Sequence, residues 1–363
     1  MDMSPARALA AAIHPQHAGP AVLRAAAERL DALAPLAREH RVSGLLARAL
    51  ERSGVMQRLA SDAWLRLRRD LLDAQHERAA LEQVFREAAD ALDAAGIRFV
   101  ALKGLALGAL AYAEPSLRPI SDVDLLVAPA QLDAAVEALA ARGFGRPSEA
   151  DRAFWREAYY NIPLAAPGGH GSVEIHWSIA QRGRHAPDVA GILERARDLP
   201  LAGRAARIPG EADLVLHQAL HLAYHYFQPK LIWIHDLALL FGSARDTDEV
   251  VERARAWGMT VPLALAVAHA EKVFPGCVAP ALARLGETTP RARWILRAAG
   301  SDDALALVRG WNRRPLQLAL GLAMLDRPGQ LLRTAGSWIA RALRYGDREG
   351  HRRLGHGDPG AGG

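Results

Sequence analysis

Lysine is almost absent from this sequence of 363 residues. Lys103, Lys230 and Lys272 are the only lysines among 45 basic residues, and arginine takes every other basic position. A compact ammonium and a planar guanidinium differ in hydration and in hydrogen-bond geometry. A lysine in such a chain therefore indicates a position that requires an ammonium. Lys103, in a predicted turn with Gly104, is such a position.

Cysteine and long apolar runs are also scarce. The single cysteine, Cys277, excludes an intramolecular disulfide framework and a zinc site of several cysteines, and it fits a reducing cytosol. The longest apolar run, near residues 316–325, is far shorter than the ~20 residues that span a bilayer. The first 15 residues do not have the pattern of a signal peptide. We therefore expect a soluble, cytoplasmic protein without a transmembrane segment.

The charge of the chain gives weaker information. A net charge of +5 suits polyanionic partners, but the basic residues are spread along the sequence and form no block. This pattern disfavours nucleic acid as a partner without excluding it. The length suits roughly two domains, and half of the residues are hydrophobic, so a sizeable core is feasible. Nothing in the composition indicates the oligomeric state.

Hydrophobic periodicity predicts an α+β protein with four segments. Residues 1–94 form a helical N-terminal segment, and residues 95–208 form a core with a small mixed β-sheet. Residues 209–345 form a mostly helical C-terminal domain, and residues 346–363 form a disordered tail. We expect a ligand to bind between the sheet and the C-terminal helices.

Acidic residues gather on the predicted strands. Asp122 and Asp124 lie two residues apart at the start of a strand predicted over 122–127, so their side chains point to the same face. A later strand carries Glu174 and His176 on one face, and it follows a glycine turn that predicts antiparallel pairing with the strand before it. Like charges held close together repel, which indicates a bound cation. Mg²⁺ is the usual choice at a phosphate site.

These motifs resemble a family of uncharacterised bacterial nucleotidyltransferases within the superfamily of the DNA-polymerase-β type. The resemblance covers roughly residues 40–245 and is carried by Leu102-Lys103-Gly104, Arg118, Asp122-Val123-Asp124-Leu125-Leu126-Val127 and Glu174-Ile175-His176-Trp177. It implies an Mg²⁺-dependent enzyme, with Mn²⁺ as an alternative ion. Such an enzyme transfers a nucleoside monophosphate from an NTP such as ATP to a hydroxyl and releases pyrophosphate. The wider superfamily has Gly-Ser where this chain has Lys103-Gly104.

Each candidate residue has an expected role. Asp122, Asp124 and Glu174 would bind the metal, and Glu174 alternatively accepts the proton of the attacking hydroxyl. Lys103 would contact the triphosphate beside Gly104, whose missing Cβ allows close approach; the alternative is a lysine at a strand end in solvent. Further expectations concern Arg118 and His176. Arg118 either holds the triphosphate or pairs with Glu114 or an aspartate, and His176 contacts the substrate, orients a carboxylate or has a structural role.

Three histidines, His217, His221 and His225, recur at four-residue steps on one predicted helix. They either line the substrate cleft or fill a helix–helix interface, and Asp236 lies nearby in the sequence. Zinc is disfavoured because there is no HExxH motif and no acid on the same face of the helix to act as a base. Two rival functions remain beside the enzyme. One is a non-catalytic nucleotide-binding accessory protein of a biosynthetic gene cluster, and the other is a toxin-like nucleotidyltransferase that modifies tRNA.

Overall fold

A computed structural model describes residues 3–16, 18–55, 61–225, 230–298 and 314–345. The predicted tail, 346–363, lies outside these residues. The chain begins with helices that are rich in alanine and leucine, which are strong helix formers. They are α1 (Pro5–Ala12), α2 (Pro20–Glu28), α3 (Leu30–Glu39), α4 (Ser43–Arg52) and the 33-residue α5 (Asp62–Ala94).

A small mixed sheet follows, as the sequence predicts. Its strands are β1 (Phe99–Ala101), β2 (Val123–Val127), β3 (Asn161–Ala165) and β4 (Ser172–His176), in the order β1-β2-β4-β3. β1 pairs antiparallel with β2, β2 pairs parallel with β4, and β4 pairs antiparallel with β3. β3 therefore lies at an edge, where the strand can accommodate Pro163.

Helices cover this sheet and connect its strands. They are α6 (Lys103–Ala111), α7 (Leu132–Ala140), α8 (Glu149–Ala158) and α9 (Val189–Glu194). A short antiparallel pair then follows, β5 (Arg197–Asp198) with β6 (Arg207–Ile208). This pair is absent from the sequence-based prediction, because two-residue strands show no alternation that a sequence pattern could detect.

The C-terminal part is helical, as predicted. Its helices are α10 (Glu211–Tyr224), α11 (Leu231–Ser243), α12 (Thr247–Trp257), α13 (Thr260–Val273), α14 (Pro280–Thr288), α15 (Pro290–Ala298), α16 (Arg314–Ala323) and α17 (Pro328–Tyr345). Within the described ranges, no helix has the length and hydropathy needed to cross a membrane.

The two faces of the sheet pack against different hydrophobic clusters. Val123, Leu125 and Val127 belong to a cluster with the C-terminal half of α5 and with α7. Leu126, on the opposite face of β2, belongs to a larger cluster that joins α1–α4 to α10–α13. Asp124 shares its face with Leu126 because side chains alternate along a strand. The acidic residues of the sheet therefore face the helical part of the protein.

Two boundaries differ from the prediction. The second strand begins at Val123, so Asp122 lies just before it. Lys103 and Gly104 do not form a turn; they are the first two residues of α6. Local sequence marks such ends poorly because neighbouring elements decide where a helix or strand stops.

Three of the histidines that are buried outside the sheet should destabilise the folded protein in acid. Burial lowers the pKa of His185 to about 4 and that of His235 and His269 to about 3. An unfolded histidine titrates near ~6.5, so below that pH only the unfolded chain takes up these protons. The free energy of unfolding should therefore fall by roughly 1.4 kcal/mol per pH unit for each histidine between about pH 6 and pH 4.

Replacing one of these histidines should reduce that slope. In His269→Leu, urea denaturation at pH 6.5, 5.5 and 4.5 should show a slope smaller by roughly 1.4 kcal/mol per pH unit than in the parent protein. His76, exposed on α5, provides the control, and His76→Gln should leave the slope unchanged. An identical slope in His269→Leu and in the parent would contradict the prediction.

Candidate active site

Two carboxylates of neighbouring strands meet at the centre of the site. Asp124 on β2 pairs directly with Glu174 on β4 in the parallel register, so their side chains lie side by side on one face. Asp124 is buried and Glu174 is half-buried. The Nδ2 amide of Asn161 on β3 donates to Glu174 Oε2 over 2.6 Å and holds that carboxylate in place. The expected juxtaposition of Asp124 with Glu174 therefore follows from the sheet itself.

The Lys103 ammonium lies within ion-pair distance of both acids. Its Nζ lies 2.5 Å from Asp124 Oδ1 and 3.4 Å from Glu174 Oε2. Burial alone would lower the pKa of Lys103, but Asp124, Glu174 and Asp122 together raise it well above its usual value. Lys103 is therefore charged at neutral pH. The lysine that the arginine-rich composition singles out forms the ion pair of this site.

His176 completes the cluster on β4. Its Nε2 lies 2.9 Å from Asp124 Oδ1 and 3.3 Å from Glu174 Oε2, and the ring is fully buried. Burial and Lys103 lower the pKa of His176, but hydrogen bonds to Asp124 and Glu174 outweigh them and leave the pKa above its usual value. In Glu174 the same kinds of interaction act in the opposite direction. Burial raises the pKa of Glu174, but Lys103 and His176 lower it by more, so the net pKa is well below normal.

Asp122 lies one residue before β2, and its environment differs from that of Glu174. Burial and the Asp124 carboxylate raise the pKa of Asp122 to about 7, although Lys103 opposes the shift. The raised pKa of Asp122 therefore reflects first the removal of this carboxylate from water and second its repulsion by Asp124.

The donor set fits a divalent cation. Ligand atoms of Asp124, Glu174 and His176 all lie within 4.8 Å of one another. Asp122, which the sequence places in the metal site, does not belong to this group, whereas His176 does. Carboxylate oxygens suit Mg²⁺ or Mn²⁺, and an imidazole among the ligands suits Mn²⁺ better than Mg²⁺. Both the binding of an ion and its identity stay predictions.

Asp122, Glu174 and Lys103 line a cleft of about 690 Å³ between the sheet and the helices α10 and α11, whereas Asp124 and His176 are buried and are not part of its lining. This volume falls within the range of small-molecule sites. The lining combines cations, acids and aromatic rings; among its members are Arg41, Lys103, Gly104, Arg118, Asp122, Tyr160, Asn161, Glu174, Arg184, His221, Tyr224, His225, Lys230 and Trp233. The expected location between sheet and helices matches this cleft.

The backbone is strained at two positions of the cleft. Within the described residues, positive φ angles at residues other than glycine occur at Arg41 (59°), Lys103 (45°) and Ala202 (52°). Such conformations cost of order 1–3 kcal/mol each and cluster at functional sites. Two of these residues, Arg41 and Lys103, line the same cleft. The strain thus supports this cleft as the functional site.

Gly104 is required by packing as well as by its position in the cleft. A Cβ there would lie 2.5 Å from Cγ2 of Ile120 and 3.2 Å from Nη1 of Arg118. The first turn of α6 therefore lies directly against the loop that leads to β2. No side chain caps the N-terminus of α6, so its first amides are not satisfied by a capping residue.

Arg118 pairs with an aspartate, as one of the two sequence alternatives proposes, and the partner is Asp236 on α11. Arg118 Nε lies 2.9 Å from Asp236 Oδ2, and the Tyr112 hydroxyl donates to Asp236 Oδ1 over 2.6 Å. Both partners of the ion pair are buried, at 5% and 0% exposure. Arg118 also lines the cleft, so its predicted contact with phosphate stays open to test.

The histidines of α10 divide between the core and the cleft. His217 is buried, while His221 and His225 line the cleft beside Trp233 of α11, with ring centroids 4.7 Å and 4.5 Å from the indole. Burial lowers the pKa of His225 to about 4 and that of His221 well below normal. Both rings are therefore uncharged at neutral pH and form an aromatic wall with Trp233.

Sequence reasoning missed several residues that line this site, among them Arg41, Asn161, Arg184 and Lys230. Lys230 lines the cleft, and its Nζ donates to the Glu39 carbonyl over 3.0 Å. The rarity of lysine was a signal that identified Lys103 and applies equally to Lys230. Arginine is too common in this chain for Arg41 or Arg184 to stand out. Asn161 follows two tyrosines and carries no recognisable motif.

Comparison with known protein families gives one match. The model of a family described as uncharacterised nucleotidyltransferase matches residues 26–275. The chain belongs to this family of nucleotidyltransferases. No curated protein and no solved structure matches the chain. Nucleotidyltransferase membership supports nucleotidyl transfer as the general activity and an NTP as the substrate. The matched region contains the sheet, the cleft and helices α10 and α11, and it ends before α14.

Proposed function

We propose that this nucleotidyltransferase transfers a nucleoside monophosphate from an NTP to a hydroxyl acceptor with the help of Mg²⁺ or Mn²⁺. The observation that carries the proposal is the direct pairing of Asp124 with Glu174 beside Lys103, at the wall of a cleft of suitable volume. Asp124 and Glu174, with Asp122 or His176, would hold the ion. When bound, the ion supplies charge neutralisation for the triphosphate and the attacking oxygen.

The triphosphate would bind to the basic residues that line the cleft. Lys103 and Gly104 begin α6, and the N-terminal amides of a helix favour anions. Arg41, Arg118 and Lys230 add positive charge around the same opening. A guanidinium binds phosphate through two parallel hydrogen bonds, whereas an ammonium acts as a mobile point charge.

The nucleobase has an aromatic wall available to it. His221, His225 and Trp233 present uncharged rings in the cleft, and base–aromatic stacking is sequence-tolerant. Base preference is therefore weak in this proposal. Phosphoryl chemistry needs mostly positioning and electrostatic stabilisation from the protein. The acceptor oxygen bonds to the α-phosphorus, the bond from that phosphorus to the bridging oxygen breaks, and pyrophosphate leaves. The hydroxyl proton passes to Glu174 or to solvent.

One observation favours a second candidate, a protein that binds nucleotide without catalysis. Lys103 already supplies a positive charge between Asp124 and Glu174, so the clustered acids do not by themselves require a metal. In that case NTP would bind equally well with or without a divalent ion. For catalysis, the ammonium must share these carboxylates with the ion or move toward the phosphates.

Thermal-shift titrations distinguish these candidates. Each of the four NTPs is added with EDTA, with Mg²⁺ or with Mn²⁺, and the melting temperature is followed. Stabilisation that depends on the divalent ion supports the enzyme, and equal stabilisation in EDTA supports the binding protein. A melting temperature that no NTP changes under any condition would overturn both.

A labelling experiment then tests catalysis itself. The protein is incubated with α-³²P-labelled NTP, Mg²⁺ and the small-molecule fraction of a cell extract, and pyrophosphate and labelled products are measured. We expect one labelled product and an equal amount of pyrophosphate. Label that appears only after total RNA replaces the small-molecule fraction would favour the rival tRNA-modifying transferase.

A further inference from the structure

A second cavity of about 530 Å³ adjoins the cleft. It lies between the segment that follows β4 and the helix α17, and Gln181 and Arg184 line both spaces. Its lining holds four arginines, Arg182, Arg184, Arg327 and Arg333, but one carboxylate, Glu157. That carboxylate already forms an ion pair with Arg344 over 2.7 Å. The cavity is therefore strongly positive.

Arg184 lies at the boundary between this cavity and the cleft. It is 4% exposed, and its Nε makes no hydrogen bond to any residue that the structure describes. Its guanidinium lies 5.3 Å from the ring centroid of Tyr224 and 5.2 Å from that of Trp338. Stacking uses the two faces of a guanidinium and leaves the N–H donors in its plane available. A buried donor without a protein partner requires an acceptor from outside the described residues, which a ligand or an ordered water supplies.

The wall formed by α17 is fixed to the rest of the protein. Gln330 Nε2 donates to the Arg184 carbonyl over 2.6 Å and to the Gly258 carbonyl over 3.0 Å. Gly183 has φ of 85°, and a Cβ there would lie 3.3 Å from Cβ of Arg333. Asp326, just before α17, accepts hydrogen bonds from the first amides of α13. These contacts define a cavity with fixed walls.

The position of the cavity, next to the cleft, is where an acceptor for the nucleotide would bind. It shares Arg184 with the NTP cleft, so a molecule in it lies next to the nucleotide. Helix α17, which contributes Arg333 and Trp338, lies beyond residues 26–275, the part matched by the family. A substrate that differs among family members is expected to meet such a segment.

We infer that this cavity binds the hydroxyl acceptor, and that the acceptor is a phosphorylated sugar or polyol. Its phosphate would pair with Arg184 and Arg333, which suit the bidentate geometry of a phosphomonoester. Its ring would lie against Trp338 or Trp257. The volume, about 530 Å³, accommodates a monosaccharide phosphate. This inference rests on the proposed function, because it takes the cleft as the NTP site.

Calorimetric titrations test the inference without any need for activity. Glucose 1-phosphate, glucose 6-phosphate and ribose 5-phosphate are each compared with glucose and ribose. At least one sugar phosphate should bind more tightly than its parent sugar. Arg333→Glu should weaken that binding roughly tenfold or more, because attraction becomes repulsion. Trp338→Ala should weaken it through a different contact, and Arg69→Glu, on the exposed face of α5, should not change it.

The same proteins are titrated with NTP and Mg²⁺, which separates the two proposals. Normal NTP binding by Arg333→Glu, together with weakened sugar-phosphate binding, supports the inference. If NTP binds but no sugar phosphate binds, the inference fails while the proposed function stands. If a sugar phosphate binds but NTP does not, the proposed function fails. Sugar-phosphate binding that survives both Arg333→Glu and Trp338→Ala would overturn the cavity assignment, as would tighter binding of a short single-stranded RNA.

Discussion

Asp124→Asn is expected to abolish pyrophosphate release while the protein remains folded. The substitution keeps the size of the side chain but removes the charge that both Lys103 and a divalent ion would use. Metal-assisted charge stabilisation contributes several kcal/mol to a transition state, so the rate should fall by about 10³-fold or more. The measurement is Mg²⁺-dependent pyrophosphate release from α-³²P-labelled NTP with the small-molecule fraction of a cell extract.

The fold should survive because Lys103 keeps Glu174 as a partner. Circular dichroism and the melting temperature check this point. Asp133→Asn provides a matched control, since Asp133 is an exposed aspartate on α7 and should retain full activity. If Asp124→Asn kept more than a tenth of the parent rate, Asp124 would have no place in the catalytic chemistry. The nucleotide-binding alternative predicts instead that the parent protein itself releases no pyrophosphate.

The positions of Asp124 and Glu174 on their strands could be predicted from the sequence, but the residues around them could not. Alternation along two strands is sufficient to predict that Asp124 and Glu174 each lie opposite the apolar face. Their direct pairing depends on the register between β2 and β4, which a one-residue shift would destroy. The rarity of lysine marked Lys103 as unusual, but its ion pair with Asp124 depends on the strained start of α6.

Contacts across long sequence distances mark the limit of prediction. Arg118 has several acids within its own loop region, and no local pattern indicates that its partner is Asp236 on α11. The same holds for Arg184, because the aromatic rings next to its guanidinium belong to Tyr224 on α10 and Trp338 on α17. Such pairs arise from helix packing, which depends on the shapes of whole surfaces. Composition and periodicity predict the helices but not which of their faces meet.

Asp236→Asn should lower the free energy of unfolding by about 3–5 kcal/mol, because it leaves the Arg118 guanidinium buried without a counter-charge. It also weakens the acceptor for the Tyr112 hydroxyl. The melting temperature should fall by on the order of 10 °C. Glu51→Gln, which removes a half-buried ion pair with Arg48, provides a control with an expected effect below about 1 kcal/mol.

The matching double variant separates stability from ligand binding at Arg118. Burial raises the pKa of Asp236 in spite of Arg118, whereas Asp236 and Tyr112 raise the pKa of Arg118 in spite of burial. Desolvation and attraction therefore oppose each other in this buried pair. Replacing both partners by apolar residues of similar size is often neutral for stability. Arg118→Met with Asp236→Leu should therefore regain most of the stability that Asp236→Asn loses.

The double variant should nevertheless bind NTP more weakly, since it removes one cation from the cleft. Urea denaturation and calorimetric titration with NTP and Mg²⁺ measure the two properties on the same protein. Restored stability with at least roughly tenfold weaker NTP binding would show that Arg118 serves the ligand as well as the fold. Restored stability with unchanged NTP binding would assign Arg118 to the structural pair alone and leave Lys103, Arg41 and Lys230 to hold the triphosphate.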